Sequence, residues 1–367
     1  MIDSTSWSAR RITLWAVAFC LALAAGAGMA QNQAPKGAQT FDSALNPNAA
    51  EQAQRQQQQP GNNAPLWRDV RSEKEHFTST RGVEAGVLMQ SGGETWRQQR
   101  NNQLIPLGGL LLAGALGACA LFFMWRGTMR LKEPRTGRSM QRFNGFERSM
   151  HWTVAITFSI LALSGLVMLF GKTVLLPIIG HTLFAWLTML CKNLHNFVGP
   201  VFSLAVIVLF FTFLRDNWPQ IRDLVWLRKA GGLFSDQHVP SGRFNAGEKI
   251  WFWVGLLGLG VTVSASGLVL NFPNFEQGRA VMQLANIVHV VATVLMMCMA
   301  AGHIYMGTVG VEGAFDAMKT GYVDEAWAKE HHGDWYDEHK RGAIAAPKAS
   351  GAGPVPAGAP QAKEKST

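Results

Sequence analysis

The chain has 367 residues, 48% of them hydrophobic, and a formal net charge of +9. Its mean hydropathy is only slightly above zero, because long uncharged apolar runs alternate with strongly polar stretches; this excludes one globular domain and indicates membrane spans with soluble extensions. The basic residues flank apolar runs rather than forming a stripe, which excludes nucleic acid as a partner.

Along the chain, residues 1–30 carry Arg10 and Arg11 ahead of an apolar run and then Gly-Ala-Gly-Met-Ala, the pattern of a cleavable signal peptide. A retained first helix is the competing reading. Residues 31–103 form a polar outer segment, Gln-rich and flexible at first. From Leu66 to Asn102 the segment regains Trp67, Phe77 and Trp96, and its role stays open. Apolar runs near 104–125, 152–170, 194–214, 250–270 and 281–309 match the roughly 20 residues a helix needs to cross a bilayer. Basic loops at 126–150 and between Leu214 and Trp251 read as cytoplasmic under the positive-inside rule. The connections at 171–185 and 271–280 carry little charge beyond Lys172 and Arg279 and face the other compartment. The expected fold is all-α, a polytopic transmembrane bundle with a four-helix core over 151–310, one extra N-terminal span and a largely irregular outer N-terminal segment. The protein sits in a bacterial inner membrane, its mature N-terminus periplasmic and its tail at 311–367 cytoplasmic, disordered at the end.

Cys20, Cys119, Cys191 and Cys298 show neither C-x-x-C nor C-x-x-C-H spacing. This argues against zinc, iron–sulfur or disulfide frameworks, and against covalently attached haem.

Ligating side chains inside spans are costly and mark function. Four histidines qualify: His151 at the start of the second span, His195 at the start of the third, and His289 and His303 in the fifth. The last two are 14 residues apart, near one helical face and about 21 Å apart along the axis. That is too far for one metal ion, but it suits two haems stacked across the membrane. By depth, His289 pairs with His195 and His303 with His151, giving two bis-histidine b haems. Gly165, Gly199, Gly267 and Gly302 could let a flat macrocycle approach, or could serve close helix packing. His76, His181, His238, His331, His332 and His339 read as surface or interface residues. Trp125, Trp152, Trp186, Trp218, Trp226 and Trp251 read as interfacial anchors.

Over residues 140–340 the chain resembles the gamma subunit of membrane-bound formate dehydrogenases. The resemblance is carried by Phe-Glu-Arg-Ser-Met-His-Trp at 146–152, Asn-Leu-His-Asn-Phe-Val-Gly at 193–199, Gly-Arg-Phe-Asn-Ala-Gly-Glu-Lys at 242–249, Ile-Val-His at 287–289 and Gly-His-Ile-Tyr-Met at 302–306. It implies the same haem-ligand pairs and adds a quinone site beside the inner haem, against the loop of Asn245, Ala246 and Gly247. That loop also reads as a helix start capped by Asn245, and both roles can hold. Glu248 could assist proton delivery, although a solvated carboxylate at a helix N-terminus is the simpler reading.

The expected function is electron transfer to quinone from a periplasmic module made of an iron–sulfur (beta) subunit and a catalytic molybdenum or tungsten (alpha) subunit. The chain shows no formate site of its own. The rival functions are the cytochrome b of a hydrogenase or another respiratory dehydrogenase, and a haem-free membrane anchor or transporter.

Overall fold

The structure, a computed structural model, describes residues 92–345 except 234–238 and 276, together with positions 54, 57, 58 and 61 and the segments 64–72, 76–77 and 87–89. The signal-peptide reading, the Gln-rich tether, Cys20, His238 and the end of the tail lie outside the described residues.

Within the outer segment a short helix, α1 (Ala64–Arg71), precedes an antiparallel pair, β1 (His76–Phe77) with β2 (Val87–Met89). Five helices long and apolar enough to cross a membrane follow: α2 (Gly93–Arg126), α3 (Gly145–Val174), α4 (Leu176–Phe213), α6 (Ala246–Asn271) and α7 (Arg279–Gly310). A short helix, α5 (Ile221–Arg228), lies between α4 and α6. The helices outrun the apolar runs that predicted them. The connection expected at 171–185 is mostly helical, interrupted at Leu175 between α3 and α4 and again where Gly180 takes φ +75°, a left-handed conformation that glycine adopts without a Cβ clash. Consequently His195 lies well inside α4 rather than at its start.

Helices α3 and α6 begin alike. Asn144 and Asn245 each accept a hydrogen bond from the backbone N–H three residues on, and Glu147 and Glu248 accept one from the asparagine N–H in return. Each such capping box satisfies two donors that a helix start would otherwise strand. The two boxes are copies of one motif, Arg142-Phe143-Asn144-x-x-Glu147 and Arg243-Phe244-Asn245-x-x-Glu248. They are cross-linked: Arg142 pairs with Glu248 at 2.9 Å, and Arg243 pairs with Glu147 at 2.7 Å. Each guanidinium also donates to the other arginine's carbonyl oxygen. The bundle is therefore two helical hairpins, α3–α4 and α6–α7, related by an internal repeat and clasped at the side of the basic loops.

The core between the hairpins is apolar, with Phe202, Val206 and Leu209 of α4 against Phe252 and Leu256 of α6 and Met296 of α7. Phe210 stacks on Phe252 with ring centroids 5.4 Å apart. Leu110, Leu121, Leu163 and Leu204 are exposed on the outside, as suits surfaces solvated by lipid. The extra span α2 lies against α7 and α3, where Gly108 meets Val294 and Gly109 meets the Phe170 ring. On the basic side, β3 (Ser139–Gln141) pairs antiparallel with β4 (Tyr322–Asp324), and α8 (Ala314–Thr320), α9 (Glu325–His331) and α10 (Gly333–Ala345) complete the described tail. Trp327 and Ala328 of α9 are buried, so this tail is packed onto the bundle.

Candidate functional site

The four intramembrane histidines meet in two pairs, as their depths predict. His195 of α4 faces His289 of α7 with ring centroids 6.1 Å apart, and His151 of α3 faces His303 of α7 at 6.2 Å. Metal–imidazole bonds of roughly 2 Å, with each ring centre about 1 Å beyond its nitrogen, put two imidazoles on one metal at close to 6 Å between centroids. Both pairs therefore have the spacing at which two imidazoles could hold one haem iron between them.

The His195–His289 pair, on the side away from the basic loops, shows how its tautomers are set. Ser164 donates its one hydroxyl proton to the Ile160 carbonyl oxygen at 2.7 Å, and Ser266 donates to the Thr262 carbonyl oxygen at 2.6 Å. Each hydroxyl then has only lone pairs to offer the imidazole beside it. His195 Nδ1 lies 2.8 Å from Ser164 Oγ, and His289 Nδ1 lies 3.1 Å from both Ser266 Oγ and the Val263 carbonyl oxygen. Both Nδ1 atoms thus carry the proton and donate it, which leaves Nε2 free to bind metal, the arrangement expected of a ligating histidine with an ordered outer shell. Gly165 and Gly267 follow these serines. A Cβ there would stand 3.4 Å from His195 Cε1 and 3.1 Å from His289 Cε1, so both glycines make room for the imidazoles. Gly199 instead borders open space, on a cavity of about 390 Å³ that both histidines also line.

The pair on the basic side is built differently. His303 lies flat on Trp251, with centroids 4.9 Å apart and planes at 11°, and His151 Nδ1 is buried without a partner among the described residues. Trp251 opens a π-helical stretch, Trp251–Leu259, and turns back over Gly255, where a Cβ would come within 2.4 Å of its indole. Wider turns of this kind recur at functional sites. Trp251, expected to be an interfacial anchor, instead buttresses an imidazole.

Gly247 lies about one turn before Trp251 and Asn245 six residues before it. Asn245 is the helix cap, and Gly247 is pressed between Trp226 and the Asn245 side chain, where a Cβ would stand 2.9 Å from the indole and 3.2 Å from Oδ1. Glu248 is not simply a solvated carboxylate, because its partner is Arg142, whose side chain is 5% exposed. His332, read as a surface or interface residue, is buried where the tail meets the loop before α6. It is 1% exposed, its Nδ1 donates to the Gly242 carbonyl oxygen at 2.8 Å, and it contacts Trp327, which fastens the tail to the loop before α6. His181 falls just after the Gly180 break in α4.

Reading the sequence missed Ser164, Ser266, Trp251, Arg142 and His332. Two repeated motifs could have revealed several of them: Arg-Phe-Asn-x-x-Glu at 142 and 243, and Ser-Gly-Leu-Val at 164 and 266.

The spans and paired imidazoles define a class, the polytopic membrane cytochromes b, and residues 142–321 match the family model of prokaryotic cytochrome b561. The chain is 32% identical over 204 residues to the cytochrome b556(fdo) subunit of formate dehydrogenase from Escherichia coli (strain K12), covering 54% of this chain and 93% of that protein. It is 29% identical over 203 residues to the nitrate-inducible cytochrome b556(Fdn) subunit of the same strain, covering 52% and 88%. The Haemophilus influenzae cytochrome b556 subunit is 27% identical over 202 residues, covering 52% and 79%. The chain belongs to the family of formate dehydrogenase cytochrome b556 subunits, and it is a multi-pass inner-membrane protein whose family implies haem b.

Proposed function

We propose that the chain is the membrane cytochrome b subunit of a formate dehydrogenase and holds two b haems, one between His195 and His289 and one between His151 and His303. The observation that carries this reading is a single helix, α7, that presents two histidines 14 residues apart, each facing an imidazole of another helix at about 6 Å. When bound, the haems supply one-electron transfer across the bilayer, from an outer donor to quinone. The donor is an iron–sulfur subunit fed by a catalytic molybdenum or tungsten subunit, both on the periplasmic side. The basic loops and the tail face the cytoplasm, in accord with the positive-inside rule.

The protein's own residues bind, orient and insulate. Ser164, Ser266 and the Val263 carbonyl oxygen hold the Nδ1 protons of the outer pair and orient both rings. Trp251 covers one face of His303 and excludes water from it. Quinone binds beside the inner pair, against Asn245 and Gly247, where the Asn245 amide donates to a quinone oxygen while its Oδ1 caps α6. Protons for quinol are taken up from the cytoplasmic side, so turnover separates charge across the membrane.

The test is reduction of the purified protein by a short-chain quinol, followed at the haem α band. The wild type is expected to be reduced quickly, and Asn245→Ser, which keeps the cap but removes the amide, to be at least tenfold slower. Equal rates in the two proteins would refute the quinone site, and absence of haem absorbance from the wild type would refute the cytochrome reading.

A further inference from the structure

The cavity beside His195 and His289 carries charge that iron ligation does not explain. Among the described residues that line it, Arg100 and Lys192 are the cations, and none is an aspartate or glutamate. Arg100 belongs to α2, outside the stretch matched to the cytochrome family, which begins at residue 142. Lys192 precedes His195 by three residues and Asn286 precedes His289 by three, so both stand one turn nearer the outer rim on the histidine faces of their helices. Asn286 Oδ1 is buried there without a partner among the described residues. Arg100 is partly buried and Lys192 exposed, so both present positive charge to the cavity while still reaching solvent, as groups that meet an anion at its edge would.

A b haem carries two propionate carboxylates on one edge, which matches two cations in number and opposite charge. We propose that Arg100 and Lys192 clamp the propionates of the haem held by His195 and His289, so that α2 completes that haem's site as well as crossing the membrane. Arginine suits the task, because its planar fork meets a carboxylate with two parallel hydrogen bonds. Arg100 uses Nη1 to donate to the Asn101 side chain at 2.9 Å, and among the described residues its other N–H groups have no hydrogen-bond partner. The clamp also assigns a role to the 93–102 stretch.

This inference rests on the two-haem reading, and the experiment separates the two. Purified full-length wild type, Arg100→Gln, Arg100→Lys and Lys192→Gln are titrated potentiometrically at the α band, alongside His289→Ala. Removing a cation beside a propionate favours the ferric form, so the component missing from His289→Ala should shift to lower potential in Arg100→Gln and Lys192→Gln. The other component should stay put, and Arg100→Lys should recover part of the shift. Two haems with unchanged potentials in both Gln variants would overturn the clamp, as would a shift confined to the component that His289→Ala retains. If Arg100→Gln loses the haem outright, rescue by Arg100→Lys supports the clamp; failure of rescue with an unshifted Lys192→Gln overturns it. A wild type with fewer than two haems would instead overturn the reading beneath it.

Discussion

Arg142→Gln should loosen the basic-side face of the bundle at two places far apart in sequence. The Arg142 side chain is 5% exposed, donates to Glu248 and to the Arg243 carbonyl oxygen at 2.9 Å each, and stands 5.0 Å from the Phe143 ring centre and 5.1 Å from that of Trp327. Removing one partner of a fully buried ion pair costs about 3–5 kcal/mol. Glu248 is 34% exposed and can be partly solvated once its partner is gone, so we expect about 2–3 kcal/mol. If local opening governs amide exchange, that energy corresponds to roughly 30- to 150-fold faster exchange. Hydrogen-exchange mass spectrometry should show it both at the cap of α6, where the Lys249 N–H donates to the Asn245 carbonyl oxygen, and in the docked tail, where the Trp335 N–H donates to the Ser241 carbonyl oxygen. The outer haem should be unaffected. Faster exchange confined to residues near 142, or none, would show that the clasp does not couple loop and tail.

Three further outcomes follow from the same geometry. Burial and the Arg142 guanidinium push His332 down to about 3, with Glu248 opposing and His331 adding to the shift; a base depressed in the fold contributes stability above its unfolded pKa and loses it as pH falls from about 6.5 toward 3, so tail docking should weaken by about 2 kcal/mol at pH 5. Exchange in 325–335 measured against pH checks this, and a profile as flat as that of His332→Asn would contradict it. Gly267→Val places a branched side chain where a Cβ alone is 3.1 Å from His289 Cε1; one haem should be lost by pyridine haemochrome assay while the helices persist by circular dichroism, and full retention would mean that the ring has room to move. Gly247→Ala forces Trp226 to move from 2.9 Å, and inhibitor titration should show quinone-analogue binding at least tenfold weaker; unchanged binding would place the quinone elsewhere.

The bundle was legible because its signals are strong ones. Uncharged runs of bilayer length, basic loops on one side and four intramembrane histidines at paired depths are long-range patterns that tertiary packing cannot reverse. Span ends were less legible, since 171–185 looks like a connection by charge yet is apolar enough to stay helical on both sides of Gly180. Asn245 was readable as a cap because its partner Glu248 is three residues on. Arg142 and Arg243 looked like ordinary loop charge, and nothing local distinguishes a buried arginine from one that anchors to lipid. The burial of Arg142 and the partial burial of Arg243 come from the reciprocal crossing of two hairpins, visible in sequence only when the Arg-Phe-Asn-x-x-Glu copies are aligned. The serines at 164 and 266 were obscured in the same way, because an intrahelical hydroxyl bond to the preceding turn is a common resting state, and only the neighbouring helix shows which imidazole uses the remaining lone pair.

The central claim is the pairing of the four imidazoles, and a haem count on single and double histidine variants tests it most directly. His195→Ala and His289→Ala should each abolish the same spectral component, and the double variant should lose no more than either alone; His151→Ala and His303→Ala should behave likewise for the other component. If His195→Ala and His289→Ala removed different components, or if their double variant lost both, the pairing across α4 and α7 would be contradicted.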